Sequence, residues 1–497
     1  MPKISKLNLV FGIEVILFFL IIFGVVPRYF AFGLAGMLVI YSLFASLEDA
    51  TILFVRSIPL FIALPISASF DNMNTWRLIA IIIFARFIIV KYQITNIKLQ
   101  IISKLLILLL FISILSIFIA HDKTAAVMRV IYFANLSMVP IVIYHLGVQH
   151  LRRIIINFLP PLIIVIAVGF FQLLTAYWLD IYQFVDFWGW GVQCRQFGMA
   201  WCKIAVERGN TWFAYNTYGT VNLRMFSLFT DSHTFPMYIL MAIPAVFAYA
   251  SEKLDFSSLG AAARIRTRLL ILLVPLSFLA AILSNTRGIW LAGWGMAVAA
   301  FGVGLFWRNP VFRYLAVWLI PYLMLFALVY PVTAFPQFHM RGGTSLSSRI
   351  HSIIDFAETS NALRFKIWKA SASSIIHHPI LGVGIGNFPL VLGQDIALAK
   401  AGSSAHNLYL QIGAELGIPA LLIALAFFFL LLKKTCYNFI GSSDKFYSLY
   451  FGALLIFIPW ILLYLLTDAA LFDERAFLMF SAICATILAY GTTARQS

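Results

Sequence analysis

The chain has 497 residues, 62% of them hydrophobic and only 11% charged, with a mean hydropathy of +0.95. Soluble domains carry about 25% charged residues, so this composition excludes a soluble globule. A formal net charge of +16 raises the idea of a nucleic-acid partner, which the distribution of that charge argues against.

Apolar runs of about 20 residues, enough to cross a roughly 30 Å hydrocarbon core, recur from end to end. The alternating short segments of a membrane barrel are missing, so the runs are predicted to be helices. Lys3 and Lys6 precede an apolar stretch over 8–26 that looks at first like a signal peptide. No small-residue cleavage site follows it, whereas Pro27-Arg28-Tyr29 does, so a retained first span is expected. Further spans are predicted over 30–46, 51–70, 76–92, 100–120, 124–146 and 153–177. The chain then continues through 233–250, 269–285, 288–306, 312–331, 407–432, 447–467 and 475–492. The expected fold class is an all-α polytopic membrane protein of about fourteen transmembrane helices, twelve at the fewest.

With the N-terminus inside, Lys91, Lys98, Arg152, Arg153, Lys253, Arg264, Arg266, Arg268, Arg308, Arg313, Lys433, Lys434, Lys445 and Arg495 all fall on the cytoplasmic side. This is the positive-inside pattern, and the basic charge is then a topology signal. The turn at 47–49 fits least well, because it carries Glu48 and Asp49. The resulting organisation is an N-terminal transmembrane bundle (1–177), a first outer segment (178–232), central helices (233–331), a large outer loop with a helix (333–405), and C-terminal helices (407–497).

Both long segments land outside, and long loops within compact folds usually carry function. The first holds Trp188, Trp190, Trp201 and Trp212, which either pack or form an interfacial belt, and Cys194 and Cys202, which could pair. The second contains a helix-like stretch from Ala362 to Ile376 and then Gly382, Gly384 and Gly386. As a nucleotide cradle those glycines are weak, since no βαβ unit surrounds them; a re-entrant turn is expected instead. No spacing of metal ligands is present, and no metal or cofactor is expected.

His406 stands at the outer mouth of a span, where an imidazole could serve as a general base. An interfacial histidine bonded to a loop carbonyl would give the same sequence. Arg287 occupies a tight outer turn and could simply snorkel to the surface. Outer arginines are scarce under the positive-inside rule, however, and Arg224, Arg287 and Arg364 share this face. Several guanidinium groups converging on one face suit a phosphate, which they bind bidentately. Glu415, two turns into the span that starts at His406, is functional or a structural arginine partner. Asp231, beside His233, could orient or pair with an arginine or His406. Arg77 and Arg86 are assigned no role.

The stretches Arg364–Trp368, His378–Phe388 and His406-Asn407 through Gly417 resemble the O-antigen ligase/polymerase superfamily over about 280–432. His406 to Gly417 fits that family's H-x10-G signature, and Arg287 to Leu291 its R-x3-L signature. Arg224 is similar to the family's preceding arginine, although the sequence after it departs from the usual pattern. The resemblance implies a GT-C-like, metal-independent glycosyltransferase of the bacterial inner membrane, with its active site facing the periplasm. Its donor would be an undecaprenyl-diphosphate-linked glycan, and its acceptor lipid A–core or a growing glycan chain. By that resemblance His406 is the base, Arg287, Arg224 and Arg364 hold the diphosphate, and Glu415, Asp231 and Asn407 support them. Membrane lipids are the other expected partners, with no nucleic acid among them. Transfer of a finished glycan to lipid A–core is favoured over polymerisation. A flippase or transporter would also need a cationic outer cavity, but no clear repeat of the transporter kind is visible. A membrane scaffold leaves the spacing of Arg287 and His406 unexplained.

Overall fold

The computed structural model describes residues 5–67, 70–71, 73–91, 100–207, 212–215, 221–253, 270–332, 359–393 and 404–490. Lys3, Lys98, Arg264, Arg266, Arg268 and Arg495 lie outside the described residues, as do 333–358 and 394–403 of the second outer segment. Backbone groups in hydrocarbon have no water to bond, so long apolar runs satisfy them internally as helices. Among the described residues, seven helices are long and apolar enough to cross a membrane: Ile101–Ile119, Lys123–Leu146, Val148–Trp178, Arg287–Phe306, Pro310–Val329, Leu408–Gly441 and Lys445–Tyr464. Shorter apolar helices, Phe30–Phe44, Thr234–Ala250 and Leu273–Leu283, stand among them. The arrangement is that of a polytopic all-α membrane protein.

One expected span differs. Over 51–70 the chain is helical only as far as Ser57; Pro59 sits in a tight turn over Ile58–Leu60, and Ala63–Leu64 then pairs antiparallel with Met73–Asn74. Proline removes a helical donor and disfavours helix in the residue before it, which accounts for the early stop. The acidic turn that fitted the charge pattern poorly also finds its reason. Glu48 and Asp49 accept ion pairs from Arg153 at 3.1 and 2.6 Å, so the acidic and basic turns share one face. Arg86 caps the Phe30–Phe44 helix by donating to the carbonyls of Ser42 and Ala45.

The first outer segment is wound into short helical turns and a small hairpin, Phe213–Tyr215 with Val221–Leu223. Trp188 and Trp212 pack inside rather than forming a belt, whereas Trp190 is 38% exposed. Cys194 and Cys202 are joined in a disulfide.

The largely buried Lys445–Tyr464 helix contacts Thr234–Lys253, Arg287–Phe306 and Leu408–Gly441. The N-terminal ends of those three helices meet its C-terminus, at Gly288 with Tyr464, His233 with Tyr464 and Leu408 with Leu465. The Leu408–Gly441 helix is broken at Gly417, whose φ is +83°. Pro419 lacks the N–H that would bond the Glu415 carbonyl, and Gly417 turns Ile418 away from Ala414. The Gly382–Gly386 turn fills both vacancies: Val383 N donates to Ala414 O at 2.9 Å and Gly384 N to Glu415 O at 3.0 Å. Ile418 N donates to Pro379 O at 2.7 Å. The expected re-entrant turn is thus a plug in a broken helix. A Cβ at Gly417 would strike the Ile380 carbonyl. Gly417→Ala, strained in φ and crowded against backbone, is expected to destabilise the fold by roughly 2–4 kcal/mol. An unchanged melting temperature in detergent would remove this role.

Candidate functional site

The site starts from the turn after Tyr464. Asn407 caps the Leu408–Gly441 helix, its Oδ1 accepting from Tyr409 N and Leu410 N, both at 3.0 Å. Its Nδ2 donates to Leu466 O at 2.8 Å, while Leu408 N donates to Leu465 O at 2.9 Å. Those bonds fasten the start of one helix to the end of another. They place His406 beside Asp468, with His406 Nδ1 3.9 Å from Asp468 Oδ2. On the far side of the carboxylate, His233 Nδ1 lies 2.9 Å from the same oxygen. The His233 ring also lies 3.2 Å from the Tyr464 hydroxyl.

Arg224 approaches from the hairpin, where its N–H donates to Trp212 O at 2.8 Å and Trp212 stacks on Phe226 at 4.9 Å. Its Nη2 is 3.5 Å from His233 Nε2 and donates to the Thr286 hydroxyl at 3.3 Å. His233 bridges the two, its Nε2 facing the Arg224 guanidinium and its Nδ1 facing Asp468. Arg287, the first residue of its helix, follows Thr286 directly. Gly288 lets that helix end sit against Tyr464 and Thr467, where a Cβ would collide.

Electrostatics bind the group together. Burial pushes the Arg224 guanidinium down to about 10, with Arg364 lowering it further against opposing help from Tyr464, Asp468 and Asp231. Arg364 is therefore within charge–charge range of Arg224. Arg224 Nε is buried with no hydrogen-bond partner. Burial alone would raise the Asp468 carboxyl; His233 first and His406 after it reverse this and hold it well below the usual carboxylate range. His406 is the accessible member, its side chain 36% exposed against 9% for Asp468 and 10% for His233.

The three non-glycine residues with positive φ among the described residues are Ser227, Asn285 and His406, at +51°, +52° and +45°. Each is a candidate residue or lies within three positions of one. Such conformations concentrate where surrounding structure forces a backbone into a functional pose.

Not every candidate joins this cluster. Asp231 Oδ1 accepts from His233 N, Thr234 N and the Thr234 hydroxyl, which caps the Thr234–Lys253 helix, and it reaches Arg224 only through charge. Glu415 sits deeper, accepting from Gln411 Nε2 at 2.7 Å and Gly386 N at 3.0 Å. Sequence reasoning missed Asp468 and Tyr464 and gave His233 no role. One signal for Asp468 existed: an acid just past a helix C-terminus opposes the helix dipole and needs a cation nearby.

Because Asp468 is held ionised, its stabilising contribution is present above the usual carboxylate range and is lost as pH falls below it. Asp468→Asn should flatten the loss of thermal stability between about pH 5 and pH 2. An identical acid profile in this variant would contradict the pairing.

A polytopic helical membrane protein with a histidine–carboxylate pair and arginines at one end is the class that fold and site define. Residues 272–425 match the family described as O-Antigen ligase, consistent with the O-antigen ligase/polymerase superfamily. The match spans Arg287, Arg364, His406, Asn407 and Glu415, whereas Arg224, Asp231, His233 and Asp468 lie outside it. It implies O-antigen ligase- or polymerase-type activity, with a lipid-linked glycan and an acceptor as partners. No curated protein matches the chain.

Proposed function

We propose that the protein is an inverting, metal-independent glycosyltransferase of the bacterial inner membrane, with fourteen spans in a GT-C-like arrangement and its active site facing the periplasm. It transfers a glycan from undecaprenyl diphosphate to an acceptor hydroxyl, with ligation to lipid A–core as the reaction. The observation that carries this reading is the accessible imidazole of His406 beside an ionised Asp468, with an under-neutralised Arg224 on the same cluster. His406 Nδ1 faces the carboxylate, which leaves Nε2 to accept the proton of the attacking hydroxyl. Asp468 stabilises the imidazolium that forms, as a buried carboxylate does in other base–orienter pairs. The acceptor oxygen bonds to the anomeric carbon as the bond to the diphosphate oxygen breaks. The electron pair leaves on the diphosphate, where Arg287, Arg224 and Arg364 would meet the growing charge. Asn407 keeps His406 in place.

The test is transfer by purified protein supplied with lipid-linked glycan and two acceptors, lipid A–core and a second lipid-linked repeat. Product on lipid A–core is the expected result. Lengthened lipid-linked chains instead would make the protein a polymerase. No transfer to either acceptor would overturn the reading.

A further inference from the structure

A cationic cavity, separate from the Asp468 cluster, lies beside the first turns of the Leu408–Gly441 helix. It encloses about 410 Å³ between the Thr75–Lys91, Lys123–Leu146 and Leu408–Gly441 helices and the turn at Gly386–Pro389. Arg77, Arg129, Gln411, Glu415, Tyr132 and Phe388 are among the residues that line it. That volume falls in the range of small-ligand sites, about 300–1,000 Å³.

The charges in it do not balance. Two arginines face one carboxylate: Glu415 interacts with Arg129 through charge, while its oxygens accept from Gln411 and the Gly386 N–H. Arg77 and Arg129 make no ion pair within 4.0 Å among the described residues, and Arg77 Nε is buried without a hydrogen-bond partner. Their guanidinium planes are held by aromatic rings instead, Arg77 5.5 Å from the Trp76 centroid and Arg129 5.3 Å from that of Tyr132. Stacking fixes a guanidinium while leaving its N–H edges free to donate, an arrangement suited to an oxyanion. Phe388 and Tyr132 supply the apolar and aromatic surface that a sugar ring packs on.

The cavity is also wired to the first cluster. Gln411 Oε1 accepts from Ala405 N, the residue before His406, at 2.7 Å, while its Nε2 holds Glu415. The lining residue Gln411 therefore links the cavity to the residue next to His406.

We infer that this cavity binds an anionic group, phosphate or carboxylate, carried on the acceptor saccharide, and so presents the acceptor hydroxyl to His406. The assignment of the bound sugar as acceptor rests on the transferase reading; the anion site itself does not.

Saturation-transfer NMR on the full chain, in an Arg224→Gln background that weakens anion binding at the first cluster, tests the site directly. The probes are glucose 6-phosphate, glucuronate and glucose. Saturable binding of at least one anionic sugar, weakened about tenfold or more in R77Q/R129Q, is expected, and the sugar that binds tells phosphate from carboxylate. Equal binding of glucose, no binding of either anion, or undiminished binding in the double variant overturns the site. Should that variant fail to fold, Met128→Trp blocks the cavity from a position already 64% exposed, and the same outcomes apply. In transfer assays with Arg224 intact, R77Q/R129Q should raise KM for the acceptor about tenfold and leave KM for the donor unchanged. A change in donor KM alone would contradict the acceptor assignment. If the wild-type protein transfers nothing, the transferase reading fails while the NMR result still decides the anion site.

Discussion

Replacing His406 with asparagine should lower the rate of glycan transfer by about 10³-fold while leaving the protein folded. General-base catalysis contributes about 10²–10⁴-fold, and of the two histidines on Asp468 among the described residues His406 is the exposed one and His233 the buried one. Asparagine is the cleaner substitution because position 406 has φ +45°, a region asparagine tolerates and alanine enters with strain. His406→Ala should lose the same activity and in addition about 1 kcal/mol of stability. The two variants together separate chemistry from backbone. Transfer in His406→Asn at more than about a tenth of the wild-type rate would remove the imidazole from the mechanism.

Arg224 gives the second large effect. Its folded-state pKa is pushed down to about 10, so the charged form is disfavoured by burial throughout the neutral range. In sign terms, the group stabilises the fold only above its ordinary pKa, and that contribution is lost once pH falls below about 10. At neutral pH the empty cluster therefore carries a cation that destabilises it, and a bound diphosphate offsets that penalty. Inorganic pyrophosphate should raise the melting temperature of the wild type by a few degrees, as a ligand well above its Kd does. Arg224→Gln should be no less stable without ligand, should show no such rise, and should lose about 10²–10³-fold in kcat/KM. A purely structural arginine behaves the opposite way, with stability falling and the response to pyrophosphate intact.

The sequence carried the membrane class and the family resemblance, and it nominated His406 and the arginines as candidates, because hydropathy, charge bias and short motifs are local signals. Asn407 beside His406 could be noticed on the same grounds. Asp468 had only its place past a helix end as a local signal, and its partner could not be read from that: it meets His406 because Asn407 and Leu408 bond the turn at Leu465–Asp468, a contact made across tertiary packing. Asp231 shows the converse. Its place beside His233 invited a role in pairing, yet a carboxylate two and three residues before free amides is held first by those amides. Arg77, on the expected fourth span, has no role assigned from sequence, and only the convergence of three helices and a glycine turn reveals the cavity it shares with Arg129. The expected span over 51–70 failed for a local reason that the prolines at 59 and 65 already signalled.

The central claim is that His406 drives transfer from a diphosphate-linked donor. The most direct measurement is release of undecaprenyl diphosphate alongside glycan transfer by the purified protein, with and without acceptor, compared with His406→Asn. One molecule of undecaprenyl diphosphate released per glycan transferred, only when acceptor is present and nearly abolished in the variant, is the predicted result. Transfer without release, or release and transfer that persist in His406→Asn, would contradict it.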